Sequence, residues 1–124
     1  MSVVVDSSVV LAVLRNEEGS ERAALALADS HLSSVNAVEV VTRLIDLGYE
    51  PHRAVSALSR IRLSIVSFDE ELAALAGMLR AATRHRGLSL GDRACLALAI
   101  RENATAWTAD KAWADLDLPC KVEL

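Results

Sequence analysis

Four carboxylates in this chain are placed where they could act together: Asp6, Glu39, Asp92 and Asp110. Asp6 directly follows the β-branched run Val3 to Val5. Glu39 stands three residues after Asn36, in the first turn of an expected helix. Asp92 stands three residues after Ser89, again in a first helical turn, and Asp110 follows a short run ending at Thr108. In a parallel α/β layout, strand C-termini and helix N-termini share one edge, and ligands bind outside that edge. The lengths agree. A helix from Asp92 to Glu102 travels roughly 15 Å from the edge, and a strand from Ala104 to Thr108 returns roughly 16 Å. Acids brought this close raise one another's pKa, and helix N-termini offset part of the repulsion. A hard divalent cation such as Mg2+ offsets the rest, because it takes oxygen ligands, keeps several waters and binds phosphate. Such an ion lowers the pKa of a water and neutralises charge on a phosphoryl group. The chemistry implied is phosphodiester hydrolysis. Local readings compete with this one. Ser89 with Asp92, and Asn36 with Glu39, look like capping boxes, and Asp6 and Asp110 taken alone suit turns. Asp115 either supplements the four or belongs to a solvated helix face.

The elements that must position these acids alternate. Strands are expected at Val3–Val5, Leu32–Val35, Leu63–Phe68, Thr105–Thr108 and Lys121–Leu124. Helices are expected from Ser7 or Ser8 to Leu14, from Glu17 to Asp29, and from an Asn36 cap to Leu47 with Gly48 as the stop. A further helix opens at Pro51 and runs to about 60. A long one runs from an Asp69 cap to Arg86-Gly87, and another from a Ser89 cap through Ile100 to a stop at Asn103. Short strands alternating with helices imply an α/β fold, with a parallel sheet of about five strands and helices on both faces. The expectation is one domain over residues 1–124.

Composition narrows the function. At 124 residues with 52% apolar content, one core suffices without disulfides or structural metal. The net charge of -4 argues against a generic polyanion binder, yet an acidic site neutralised by metal is compatible with a nuclease. All thirteen basic residues except Lys111 and Lys121 are arginine, suited to bidentate phosphate contacts. One Phe, one Tyr and two Trp are too few for an aromatic base-stacking platform. Cys95 and Cys120 form no zinc motif and read as reduced thiols. There is no basic leader and no run of roughly 18 apolar residues, so a cytoplasmic protein without membrane contact is expected.

The stretches VVVDSSVVLAVL, SSVNAVEVV, RGLSLGDRACLALAI and WTADKAWAD carry the four acids in order and span essentially the whole chain. In them the sequence resembles the PIN-domain family, and specifically the VapC-type toxins of prokaryotic toxin–antitoxin pairs. The resemblance implies a Mg2+- or Mn2+-dependent endoribonuclease, usually a homodimer, held inactive by a small antitoxin. Carried over by position, Asp6, Glu39, Asp92 and Asp110 match the family's acidic residues, and Ser7 and Thr108 match small polar neighbours. Gly91 stands where the family often has Ala.

Other classes fit less well. A phosphoacceptor receiver domain wants paired acids after the first strand and a Lys ending the last, whereas two serines follow Asp6 and Lys121 opens its strand. A haloacid-dehalogenase-like phosphatase needs a second Asp where Ser8 stands. A PIN-like module that binds without cleaving is disfavoured by the presence of all four acids, and a housekeeping nuclease without an antitoxin stays open. Arg84, His85 and Arg86 suit a helix C-terminus. His31 and His52 lack metal-ligand spacing. Trp107 belongs in the core, and Trp113 in the core or near the mouth of the site. The helices around Val9–Leu14 and Val38–Ile45 are apolar over more than one core-facing stripe. They could receive an antitoxin helix on the surface formed by the first four helices. The stripe Leu72, Leu75, Ala76 and Leu79 is a candidate dimer surface.

Overall fold

A computed structural model describes residues 3–15, 27–113, 116, 118 and 120–123. Five strands are present: β1 (Val3–Val5), β2 (Ser30–Ser33), β3 (Ser64–Val66), β4 (Thr105–Trp107) and β5 (Val122–Glu123). All pair in parallel, in the order β3-β2-β1-β4-β5. Six α-helices lie among the described residues: α1 (Ser7–Leu14), α2 (Ser34–Asp46), α3 (Pro51–Ser59), α4 (Glu70–Met78), α5 (Arg80–Thr83) and α6 (Leu90–Glu102). The expected helix from Glu17 to Asp29 falls largely outside the described residues, as does Asp115.

Strand alternation divides the core between the two sheet faces. Val4 packs with Leu72, Ala76, Leu96 and Leu98 of α4 and α6. Its neighbour Val5 packs with Val10, Val40, Leu44 and Leu58 of α1, α2 and α3. The strand order reverses direction between β1 and β4, and that switch point is where parallel sheets open a crevice at their carboxyl edge. Asp6 ends β1 and Asp110 follows β4, so both stand at the mouth of that crevice.

Most boundaries follow local chemistry. Ser89 and Asp92 form a reciprocal capping box on α6, and Asn103 ends that helix in the left-handed region at φ 52°. Asp69 caps α4 through the Leu72 N–H at 3.0 Å. Five expectations need correction. The second strand lies two residues earlier than expected, because the Ser33 hydroxyl accepts the Val35 N–H at 3.2 Å and turns the chain into α2. Asn36 is therefore inside the helix and does not cap it, and Glu39 falls in its second turn. Helix α1 is capped by Asp6, not by Ser7 or Ser8. The long helix expected from Asp69 to Arg86 is interrupted at Leu79. There the Arg93 guanidinium, arriving from α6, donates to the Ala76 carbonyl at 3.0 Å. That carbonyl is the one an unbroken helix would offer to the Arg80 N–H.

Candidate active site

Asp6 joins two elements. Its N–H donates to the Trp107 carbonyl at 3.2 Å, which continues the β1–β4 pairing, and its carboxylate caps α1 by accepting the Val9 N–H at 3.1 Å. The Ser8 hydroxyl donates to the same oxygen at 2.6 Å, and the Thr108 hydroxyl donates to the other. These hydroxyls also hold the loop after β4. Ser8 Oγ accepts the Ala109 N–H at 3.0 Å and Thr108 Oγ1 accepts the Asp110 N–H at 2.9 Å. Asp6 is only 3% exposed. Burial pushes its carboxyl above the ordinary 3.8, and the nearby Asp92 charge adds to the rise. The hydrogen bonds from Ser8, Thr108 and Val9 oppose it.

Asp92 accepts the Ser89 N–H at 2.9 Å while its own N–H donates to Ser89 Oγ at 3.2 Å. It is thus both a cap and a charge facing Asp6, so the two readings of this residue are compatible. Glu39 accepts a hydrogen bond from the Asn36 amide at 2.8 Å, and its carboxylate lies against Gly91 in the first turn of α6. Asp110 is exposed at the rim of the crevice. Cys95 lies beneath the edge, fully buried. Burial raises its thiol well above 9.0, and the charges of Asp6, Asp92 and Glu39 push the same way.

The structure thus ties the Asp110 backbone to Asp6 through Thr108 and sets the Glu39 carboxylate against Gly91, the residue before Asp92. Among the described residues, no three acidic, histidine or cysteine side chains already close around a common point. Asp92 is turned toward Ser89 and Glu39 toward Asn36, the arrangement expected of like charges with donors at hand. The four candidate side chains offer carboxylate oxygen alone, a donor type that would suit a hard divalent cation better than a soft one.

Three contributors were missed in the sequence. Ser8, and not Ser7, bonds Asp6; Ser7 lines a groove beside Glu39. Asn36 and Gly91 shape the surroundings of Glu39. The Ser8 signal was legible, since a hydroxyl two residues after an Asp cap reaches its carboxylate. The Asn36–Gly91 link spans 55 residues and left no local trace. Trp107 is in the core as expected, and so is Trp113, which is 1% exposed. The stripe proposed for dimerisation is spent on the core, where Leu72, Ala76 and Leu79 are buried with Leu75 packed against them. His31 pairs with Glu102 at 2.7 Å, a contact between β2 and α6.

Comparison with known proteins supplies a family and a fold. The PIN domain family model matches residues 3–118. No curated protein sequence matches the chain. VapBC2 from Rickettsia felis, solved bound to a DNA fragment from its promoter, is 21% identical with a TM-score of 0.76, covering 99% of this chain and 98% of that one. A toxin–antitoxin complex from Klebsiella pneumoniae is 19% identical with a TM-score of 0.76, covering 100% and 97%. FitAcB from Neisseria gonorrhoeae is 22% identical with a TM-score of 0.73, again covering 100% and 97%. At these identities the likeness establishes the fold.

Proposed function

The chain belongs to the PIN domain family, and from that premise we propose that it is a metal-dependent endoribonuclease, the toxin component of a toxin–antitoxin pair. The observation that carries the reading is the buried Asp6 carboxylate at the β1/β4 switch point, held by two hydroxyls and a helix cap with Asp92 opposite. Asp6, Glu39, Asp92 and Asp110 are the residues that would hold Mg2+ or Mn2+. Bound there, the cation would supply positive charge to a phosphodiester and lower the pKa of a water. The chain's own part is positional. Ser8 and Thr108 fix Asp6 and the loop bearing Asp110, and the capping box with Ser89 holds Asp92 in the first turn of α6.

The test is cleavage of single-stranded RNA by the purified protein in EDTA, Mg2+ and Mn2+, beside Asp6→Asn and Asp92→Asn. Cleavage in metal alone, lost in both variants, supports the reading. Metal-independent cleavage, or none by wild type, removes it; RNA binding without cleavage favours a PIN-like binding module.

A groove of about 390 Å3 supports an antitoxin partner. It is lined by Ser7, Leu11, Val38, Glu39, Thr42, Arg43 and Asp46. Val38 is 65% exposed within it, so apolar surface of α1 and α2 is left over after the core is built, beside one of the four acids. An amphipathic helix laying its apolar face there would cover Val38 and Leu11 and reach the acidic edge. Without such a partner the chain reads as a housekeeping nuclease. Co-expression with the neighbouring short reading frame separates the two: rescue of growth and co-purification favour the toxin, and harmless expression of the chain alone favours the other. A homodimer, the commonest closed oligomer, would use a surface other than the buried α4 stripe. No described helix is long and apolar enough to cross a membrane.

A further inference from the structure

Glu39 is the one acid of the four that lies in a helix interior, with no strand end or helix cap to fix it. Its side chain has three rotatable bonds, and without restraint it would sample many positions at considerable entropic cost when ordered. Two residues restrain it. Asn36, three positions earlier on α2 and 1% exposed, donates from Nδ2 to Glu39 Oε1 at 2.8 Å and to the Gly91 carbonyl at 3.0 Å. Both partners are acceptors, so the amide can face them only with its nitrogen. Asn36 Oδ1 is buried and has no hydrogen-bond partner among the described residues. Buried polar atoms normally find a partner; in Asn36 only the donor end is used.

Gly91 supplies the other half of the seat. A Cβ placed there would fall on the Glu39 carboxylate. Gly91 has no left-handed backbone to excuse the missing side chain; it lies within α6, where alanine is the better helix former. The empty position next to Asp92 is therefore occupied by the carboxylate of Glu39.

We propose that Asn36 and Gly91 are positioning residues that seat the Glu39 carboxylate beside Asp92, an assignment that rests on the metal-nuclease reading. Asn36 holds one carboxylate oxygen and anchors itself on the α6 backbone. Gly91 lets the carboxylate approach α6 more closely than any side chain there would allow. Together they fix the separation of Glu39 from the Asp92 end of the site and reduce the ordering needed when a cation binds.

The experiment measures Mn2+ affinity by titration, melting temperature in EDTA, and RNA cleavage across Mn2+ concentrations, for wild type, Asn36→Ala and Gly91→Ala. Each variant is expected to bind Mn2+ about tenfold more weakly, the usual lower bound for losing a partner that orients a metal ligand. Cleavage lost at low Mn2+ should return at high Mn2+. Gly91→Ala is the decisive variant, because alanine suits the helix and the atoms nearest its new methyl belong to a movable carboxylate. Its melting temperature in EDTA should equal or exceed that of wild type. Wild-type Mn2+ affinity in either variant overturns the proposal. So does a Gly91→Ala protein that melts lower in EDTA, since that would mark a packing role between α2 and α6. Failure of wild type itself to bind Mn2+ removes the nuclease reading beneath, and is told apart by occurring before any substitution is made.

Discussion

Replacing Asp6 with Asn should stabilise the metal-free protein while abolishing its response to metal. Asp6 is 3% exposed, and its burial, with the Asp92 charge nearby, raises its carboxyl pKa. A buried charge of this kind carries an effective penalty of about 3 kcal/mol. Against that, exchanging charged for neutral hydrogen bonds gives up about 2 kcal/mol. The cap itself survives, since Asn and Asp serve equally at this position. The Val9 N–H and the Ser8 hydroxyl keep an oxygen acceptor. Thr108, already accepting from Asp110, can rotate its hydroxyl to accept the new amide as well. The net gain is on the order of 1 kcal/mol, or about 4 °C in melting temperature for a domain of this size. The pH dependence has a definite sign. A carboxyl whose folded pKa is raised binds its proton more tightly in the folded state, so its favourable contribution is complete below 3.8 and is lost as pH rises through the folded value. Asp6→Asn should therefore gain over wild type in EDTA at neutral pH and show little gain at pH 3. In Mn2+ at a hundredfold excess over the dissociation constant, wild type should rise by roughly 2.7 kcal/mol, and Asp6→Asn should rise by far less. Thermal melts in EDTA and in Mn2+, at both pH values, measure all of this. A wild type indifferent to Mn2+, together with an Asp6→Asn protein less stable than wild type in EDTA, would refute the reasoning and leave Asp6 a structural cap.

Asp92→Asn should also lose Mn2+ binding and cleavage, but with a smaller apo gain, because its charge is compensated by the α6 N-terminus; the same melts compare the two. Asp69 is expected to have the opposite pH sign: the Leu72 N–H and Arg101 hold its carboxyl below the ordinary range, so its contribution is present above 3.8 and lost on acidification, and Asp69→Asn should flatten that loss in an acid titration. Val38→Asp should change stability by less than about 0.5 kcal/mol, as an exposed substitution does, while preventing co-purification with the antitoxin. Cys95, buried and with its thiol raised well above 9.0, should resist thiol reagents until the protein unfolds, as a labelling time course in denaturant would show.

Much of this fold was legible because its signals are local. The run Val3–Val5 followed by an acid, the Ser89–Asp92 box and the Asn103 stop each identify an element from a few residues, and the alternation of elements then forces a parallel sheet. What escaped the sequence was decided at a distance. The break in the helix at Leu79 coincides with Arg93 of another helix donating to the Ala76 carbonyl, a contact no local pattern announces. The start of α2 was misplaced because Ser33 and Asn36 are both competent caps, and only the paired register of β2 with β1 and β3 selects Ser33. The same error concealed what Asn36 does: a residue assigned to capping was not available to hold Glu39. Gly91 could be seen as unusual in a helix, but its reason lies on α2, and no spacing rule connects the two.

The structural roles of Asp6 and Asp92 explain how the proposed site would persist in a small protein. Acids gathered for a cation destabilise the fold whenever the cation is absent, and a domain of this size has only a few kcal/mol to spare. Here the acids are not added to a finished scaffold. Asp6 caps an eight-residue helix, too short to be stable on its own, and closes the β1–β4 pairing. Asp92 completes the reciprocal cap of α6, the helix that packs the Val4 face of the core. Each carboxylate thus offsets part of its own electrostatic cost by ordering the element that carries it. Glu39 has no such structural task, which is why its position has to be held by other residues, and why the fold places an amide and a missing side chain there.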